Sequence, residues 1–146
     1  MNISKHITIQ EATRTSHNVE NVPDENQLES MKLVAENCFE PMREFYGKPM
    51  KINSFFRSLD VNRLVGGSDT SQHVKGEAID TTTGNKQDNK MVFDWARNNI
   101  EFDQLIYEFG DDTGCDWIHV SYSKTRNRKQ VLRAIKQNGK TKYIPI

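Results

Sequence analysis

The strongest constraint on the fold is a short polar run, Ser71-Gln72-His73-Val74-Lys75-Gly76-Glu77-Ala78-Ile79-Asp80. Its histidine and aspartate are seven positions apart, so they are not neighbours on adjacent helical turns, and Gly76 lets the chain turn between them. A second histidine, His119, follows Asp80 after 39 positions. Two imidazoles and one carboxylate make a zinc set with one open coordination position, as a hydrolytic site requires. Either the fold brings a loop and two strands together here, or both histidines are ordinary core or surface residues.

Helical patterns precede this run. Apolar residues recur every three or four positions over residues 24–46, which predicts the longest amphipathic helix of the chain. We expect a kink or break just before Pro41, because proline lacks an N–H. Further upstream, residues 7–9 fit a brief strand, and Thr8 fits equally well the N-cap of a short helix over residues 9–13.

Strand patterns dominate the rest of the chain. Alternating or β-branched runs predict strands, and denser apolar spacing predicts two helices, at 59–64 and 86–99. An Asn-Gly pair at 138–139 predicts a terminal hairpin. The predicted strands are 50–56, 78–83, 102–109, 117–122, 129–136 and 140–144. Helical patterns in the N-terminal part and hairpin-connected strands in the C-terminal part indicate an α+β class. We expect a single small domain over residues 1–146, with helices packed on a mainly antiparallel sheet.

Composition excludes some functions. Lys plus Arg equals Asp plus Glu, at 20 each, so net charge gives no support to nucleic-acid binding. The basic cluster at 124–129 is short and lacks interleaved aromatic residues. No run of about 18 apolar residues exists to span a membrane. No apolar run follows the N-terminal charge, so we expect no cleavable signal peptide and a product made soluble in the cytoplasm.

A sharper pattern appears when the neighbours of the three candidate ligands are included. It reads Ser71-x-His73-x-x-Gly76-x-Ala78-x-Asp80, followed by Asp116-x-x-His119. This pattern resembles the family of zinc D-Ala-D-Ala carboxypeptidases, D,D-dipeptidases and L-Ala-D-Glu endopeptidases, especially its compact phage and prophage branch. The likeness covers most of the chain. It implies a hedgehog/D-Ala-D-Ala peptidase-like fold, a monomer, and one zinc ion held by His73, Asp80 and His119.

The resemblance also implies catalytic roles for two residues. Asp116 would be the general base, provided that a bend before its strand turns it inward, since strand positions three apart face opposite ways. Its alternative role is a turn carboxylate. Arg57 would stabilise the charge that develops on the substrate carbonyl oxygen. The alternative for Arg57 is a surface salt bridge.

Three further residues are candidates for binding substrate. Ser71 matches a family serine near the amino end of the substrate, although Ser71 and Gln72 are equally suited to capping a loop. Trp117 would form a pocket wall or fill the core.

Together these features predict a zinc-dependent peptidase that hydrolyses peptidoglycan stem or cross-link peptides with a metal-activated water. Phage lysis machinery or a virion would deliver it to the cell wall. The alternative is a catalytically silent, zinc-stabilised binding or virion module, because the scaffold also resembles the hedgehog signalling domain.

Overall fold

The computed structural model describes every residue from Met1 to Ile146. The helices are α1 (Ile9–Ala12), α2 (Glu25–Val34), α3 (Glu40–Tyr46), α4 (Leu59–Leu64) and α5 (Lys86–Asn99). The strands are β1 (Asn2–Ser4), β2 (Ile7–Thr8), β3 (Lys51–Ser54), β4 (Ala78–Thr82), β5 (Gln104–Glu108), β6 (Trp117–Ser121), β7 (Gln130–Gln137) and β8 (Lys140–Pro145). The class is α+β, as predicted.

Six strands form the main sheet, in the order β3-β4-β6-β5-β7-β8. Every neighbouring pair is antiparallel except β5 and β7, which run parallel. The predicted hairpin joins β7 to β8 through Asn138 and Gly139, whose φ angles are 53° and 75°. Two consecutive positive φ angles are the geometry that an Asn-Gly hairpin turn requires.

The N-terminal segment combines the two structures that its sequence allowed. Ile7 and Thr8 form β2, which pairs with β1 in a separate two-stranded sheet. Thr8 then caps α1: its hydroxyl accepts from the Glu11 N–H, while the Glu11 carboxylate accepts from the Thr8 N–H. Reciprocal capping of this kind fixes where a short helix begins.

A π-helical turn, Ala35–Phe39, takes the place of the expected kink before Pro41. The Glu40 N–H donates to the Ala35 carbonyl five residues back, and Pro41 lies in the first turn of α3. Proline has no N–H to donate, and the change of register at the π-helical turn accommodates it within the continuous helix. The chain therefore stays helical from Glu25 to Tyr46 with one change of register.

The two faces of the main sheet differ. One face packs against the helices, and its residues Ile79, Leu105, Ile118 and Val120 belong to the main hydrophobic core. The alternate residues point to the other side, which forms the floor of an open pocket. None of the helices has the length and apolar character needed to span a bilayer.

Candidate metal centre

Three side chains meet on the open face of the sheet. Asp80 on β4 and His119 on β6 are paired directly across the two strands. His73 comes from the loop that precedes β4. His119 Nδ1 lies 2.9 Å from Asp80 Oδ1, and His73 Nε2 lies 3.2 Å from Asp80 Oδ2. One ligand atom from each residue lies within 4.8 Å of the other two. The structure thus brings together the three residues that the sequence predicted as metal ligands.

The orientation of His73 is fixed by a backbone contact. Its Nδ1–H donates to the Phe55 carbonyl oxygen at 2.7 Å, which turns Nε2 toward Asp80. Metal-binding histidines commonly donate their second ring N–H in this way, because the contact sets both tautomer and ring orientation. His73 is also buried, so its imidazole has little freedom to turn elsewhere.

The donor set suits zinc. Two imidazole nitrogens and one carboxylate oxygen are ordinary zinc ligands, and tetrahedral coordination would place them about 3.3–3.5 Å apart. The structure places one ligand atom of each residue within 4.8 Å of the other two, which is close to this spacing. Burial alone would raise the pKa of the Asp80 carboxyl, but His73 and His119 outweigh it and hold that pKa well below its usual range. Asp80 is therefore available as an anionic ligand.

The loop carrying His73 is held against α2. Gly76 has a φ of +74°, and a Cβ there would lie 2.7 Å from the Gln27 carbonyl oxygen. Gln27 Nε2 donates to the Val74 carbonyl oxygen at 3.0 Å. Only glycine permits both this backbone angle and this close approach. The glycine of the sequence motif thus positions the loop rather than contacting a ligand.

Arg57 lies inside the pocket beside the candidate ligands. Its Nη2 is 3.6 Å from Asp80 Oδ2, and its Nε donates to Ser54 Oγ at 3.0 Å. Burial lowers the pKa of Arg57, and Asp80 opposes that shift, so the guanidinium stays charged. The position is that of a fixed cation next to the centre and not of a surface salt bridge.

Sequence reasoning missed Asn62, which supports Arg57. Asn62 is fully buried on α4, and its Oδ1 accepts from Arg57 Nη1 at 3.4 Å while its Nδ2 donates to the Ser68 carbonyl at 2.7 Å. A Cβ at Gly67 would lie 2.2 Å from Asn62 Oδ1. Nothing in a single sequence marks an asparagine in a short helix for this role.

The pocket has a volume of about 1090 Å³ and includes the predicted substrate-binding residues in its wall. Ser71 Oγ accepts from the His73 N–H at 3.2 Å, so it also orders the loop. Gln72 Nε2 donates to Asp103 Oδ2 at 3.0 Å. Trp117 makes an edge contact with Phe109, and its indole N–H has no partner in the protein.

Two carboxylates near β6 lie in different surroundings. Asp116 is not part of the pocket wall; its Oδ1 lies 3.2 Å from Lys86 Nζ, and its side chain is 39% exposed. Glu108, at the end of β5, lines the pocket and is 6% exposed. Burial raises the pKa of Glu108 to about 7, with Asp80 adding to the shift and His119 opposing it. An acidic residue directly after the apolar run Leu105-Ile106-Tyr107 was the only signal for Glu108, and it does not indicate which face of the sheet the side chain takes.

The family model described as Peptidase M15 matches residues 5–121, about four-fifths of the sequence. The match includes all three candidate ligands and ends at the last residue of β6. Comparison with individually curated proteins gives no match.

Proposed function

This chain belongs to the peptidase M15 family, and from that membership we propose that it is a zinc-dependent peptidase of bacterial cell-wall peptides. The observation that carries the proposal is the convergence of His73, Asp80 and His119 on the floor of an open pocket. A centre with three protein ligands leaves a position for substrate chemistry, whereas a purely structural zinc site is usually closed by a fourth ligand.

The residues of the pocket would have different roles in the reaction. His73, Asp80 and His119 would hold the ion, which supplies Lewis-acid polarisation of the peptide carbonyl and lowers the pKa of water. The Arg57 guanidinium would stabilise the negative charge that develops on the carbonyl oxygen, a role worth roughly 3–4 kcal/mol for a well-placed donor. Ser71, Gln72 and Trp117 would position the peptide. The family resemblance implies Asp116 as the general base, and its side chain lies outside the pocket wall.

The pocket lining suits an anionic peptide. The pocket is lined by acidic residues as well as basic ones, and Arg57 and Arg128 each lie beside an acidic residue of the lining. Lys75, Arg126 and Lys136 also line it and form no ion pair within the protein, so their charges are available to a substrate. Peptidoglycan stem peptides carry free carboxylates, which such cations attract. The candidate bonds are D-Ala-D-Ala, L-Ala-D-Glu and the cross-bridge, and phage lysis machinery or a virion would deliver the enzyme.

The test is incubation of the zinc-loaded protein with defined muropeptides and identification of the products by mass. We expect one peptide bond to be cleaved, cleavage to stop on chelation, and activity to return with zinc. His119→Ala should lose both zinc and turnover, because the site keeps only two ligands. His17→Ala is the matched control, since His17 lies outside the pocket.

A wild-type protein that binds zinc and cleaves none of these peptides would contradict the proposal. That result would favour the zinc-stabilised binding module instead. Undiminished zinc content in His119→Ala would contradict the ligand set.

A further inference from the structure

Glu108 opens on the pocket beside the candidate metal centre. The residue is only 6% exposed, and its carboxylate makes no hydrogen bond and no ion pair within the protein. Its oxygens are not fully enclosed, because the buried side-chain atoms that lack a partner belong to Trp117 and Arg133. The carboxylate is therefore directed at the pocket and is free to bind a molecule there. A largely buried carboxylate without a protein partner, placed in this way beside a candidate metal centre, indicates a chemical use for the group.

The sheet register places Glu108 next to the centre but outside the ligand set. Glu108 pairs with Trp117 across β5 and β6, and Trp117 precedes His119 by two residues on the same face. Diagonal neighbours of this kind lie about 7–8 Å apart across antiparallel strands. Glu108 is absent from the group whose ligand atoms lie within 4.8 Å of one another. Its carboxylate can therefore reach a molecule between itself and the ligands.

The backbone holds Glu108 in place from both sides. Its carbonyl oxygen accepts from the Asp116 N–H at 2.9 Å, and the next residue, Phe109, donates its N–H to the Ala134 carbonyl at 3.0 Å. Phe109 has a φ of +60°, which turns its side chain to the same pocket that Glu108 lines. A non-glycine residue rarely adopts this conformation, and it is retained here where it shapes the pocket.

We propose that Glu108 is the general base of this peptidase, an inference that rests on the proposed function. As the water oxygen bonds to the peptide carbonyl carbon, one water proton moves to the Glu108 carboxylate, and Arg57 stabilises the carbonyl oxygen. The C–N bond then breaks, and Glu108 returns the proton to the leaving nitrogen. The products are a carboxylic acid and an amine, and Glu108 is again a carboxylate.

Asp116 is the rival for this role. It precedes β6, and it lies three positions before His119, so a regular strand directs the two side chains to opposite faces. Its carboxylate contacts Lys86 outside the pocket wall. To act as base it would have to leave Lys86 and enter the pocket, whereas Glu108 already lies there.

The test compares Glu108→Gln with Asp116→Asn, with Glu36→Gln on the exposed side of the helical segment as the neutral control. The measurements are kcat and KM on a cleaved muropeptide, zinc per chain, and the melting temperature of the zinc-free protein. Glu108→Gln should lower kcat by about 10²- to 10⁴-fold with KM and zinc content near wild type. Its zinc-free melting temperature should not fall, because the amide removes an unpaired buried charge. Asp116→Asn should lower kcat less than tenfold.

The outcomes separate the two claims. If wild type cleaves the peptide and Glu108→Gln keeps its kcat, Glu108 is not the base and the proposed function stands. If Asp116→Asn shows the large loss instead, Asp116 is the base. If Glu108→Gln loses zinc and melting temperature together, Glu108 is structural. A wild type that binds zinc without any cleavage would overturn the proposed function and the role of Glu108 with it.

Discussion

Asp80 contacts the three other charged or ligating side chains of the centre. His73 and His119 approach one oxygen each, and Arg57 approaches the oxygen that faces His73. The contacts with His73 and His119 keep the carboxylate ionised in a buried position, where an unpaired charge would be unstable. A single residue of the motif thus links the candidate metal ligands to the cation that would act on substrate.

Arg57→Lys tests that link at the level of one side chain. Lysine keeps the charge but cannot reach Ser54, Asn62 and Asp80 from one planar group, as the guanidinium does. We expect kcat to fall by about ten- to a hundredfold with little change in zinc affinity. Steady-state kinetics and a zinc competition assay measure the two quantities, and Arg63→Lys on the exposed side of α4 is the control. An equal loss of turnover and zinc affinity would show that Arg57 is structural.

The sequence was sufficient to predict the ligand residues but not all of their neighbours. Residue type and spacing left His73, Asp80 and His119 equally open to ordinary core or surface roles, and the wider pattern of their neighbours, which resembles a zinc peptidase family, implied the ligand set. Glu108 is different, because the apolar run Leu105-Ile106-Tyr107 does not alternate with polar residues. The sequence therefore does not predict which face of the sheet the Glu108 side chain takes. Its placement depends on β6 and β7 flanking β5, which is a property of the assembled sheet.

At the scale of elements, Asp103 joins three segments around the pocket. Its carboxylate accepts from Arg128 Nε and Nη2, both at 2.8 Å, and from Gln72 Nε2 at 3.0 Å. Asp103 therefore connects the residue before β5 to the loop that carries His73 and to the loop before β7. The side-chain hydrogen bonds from Arg128 hold the pKa of Asp103 below its usual value.

This arrangement predicts a pH-dependent contribution to stability. Because the folded-state pKa is lowered, the contribution is present above the unfolded pKa of about 4 and is lost as the pH falls through the lower folded value. Asp103→Asn should lower the free energy of unfolding by about 1–3 kcal/mol at pH 7. Urea unfolding of the wild type and of Asp103→Asn, at pH 7 and at decreasing pH below 4, measures how the difference between their free energies of unfolding narrows. Asp94→Asn, in an exposed pair with Lys90, is the control. A difference that does not depend on pH would contradict the assigned role.

Element boundaries were largely predictable because local patterns decide them. The helix at α5, the strand at β6 and the Asn-Gly hairpin follow from periodicity and turn chemistry. The π-helical turn and the parallel β5–β7 pair were not predicted. The π-helical turn depends on how the helix packs around Pro41. The parallel pair depends on the connection after β6, which places β7 next to β5 rather than next to β6.

At the scale of the whole molecule, the two faces of the main sheet carry different groups of residues. Its helix-covered face carries the main hydrophobic core, and its open face carries the candidate ligands and Glu108. The hairpin of β7 and β8 lies beyond the matched residues 5–121, yet Leu132 and Tyr143 from this hairpin also line the pocket. We therefore expect the C-terminal hairpin to contribute to substrate choice more than to metal binding.

The central claim is that one zinc ion is held by residues far apart in the sequence. The most direct measurement is a crystal structure of the zinc-loaded protein with anomalous diffraction data above the zinc absorption edge. We predict one anomalous peak about 2.0–2.2 Å from ligand atoms of His73, Asp80 and His119. A peak elsewhere, or no peak between these three side chains, would contradict the account.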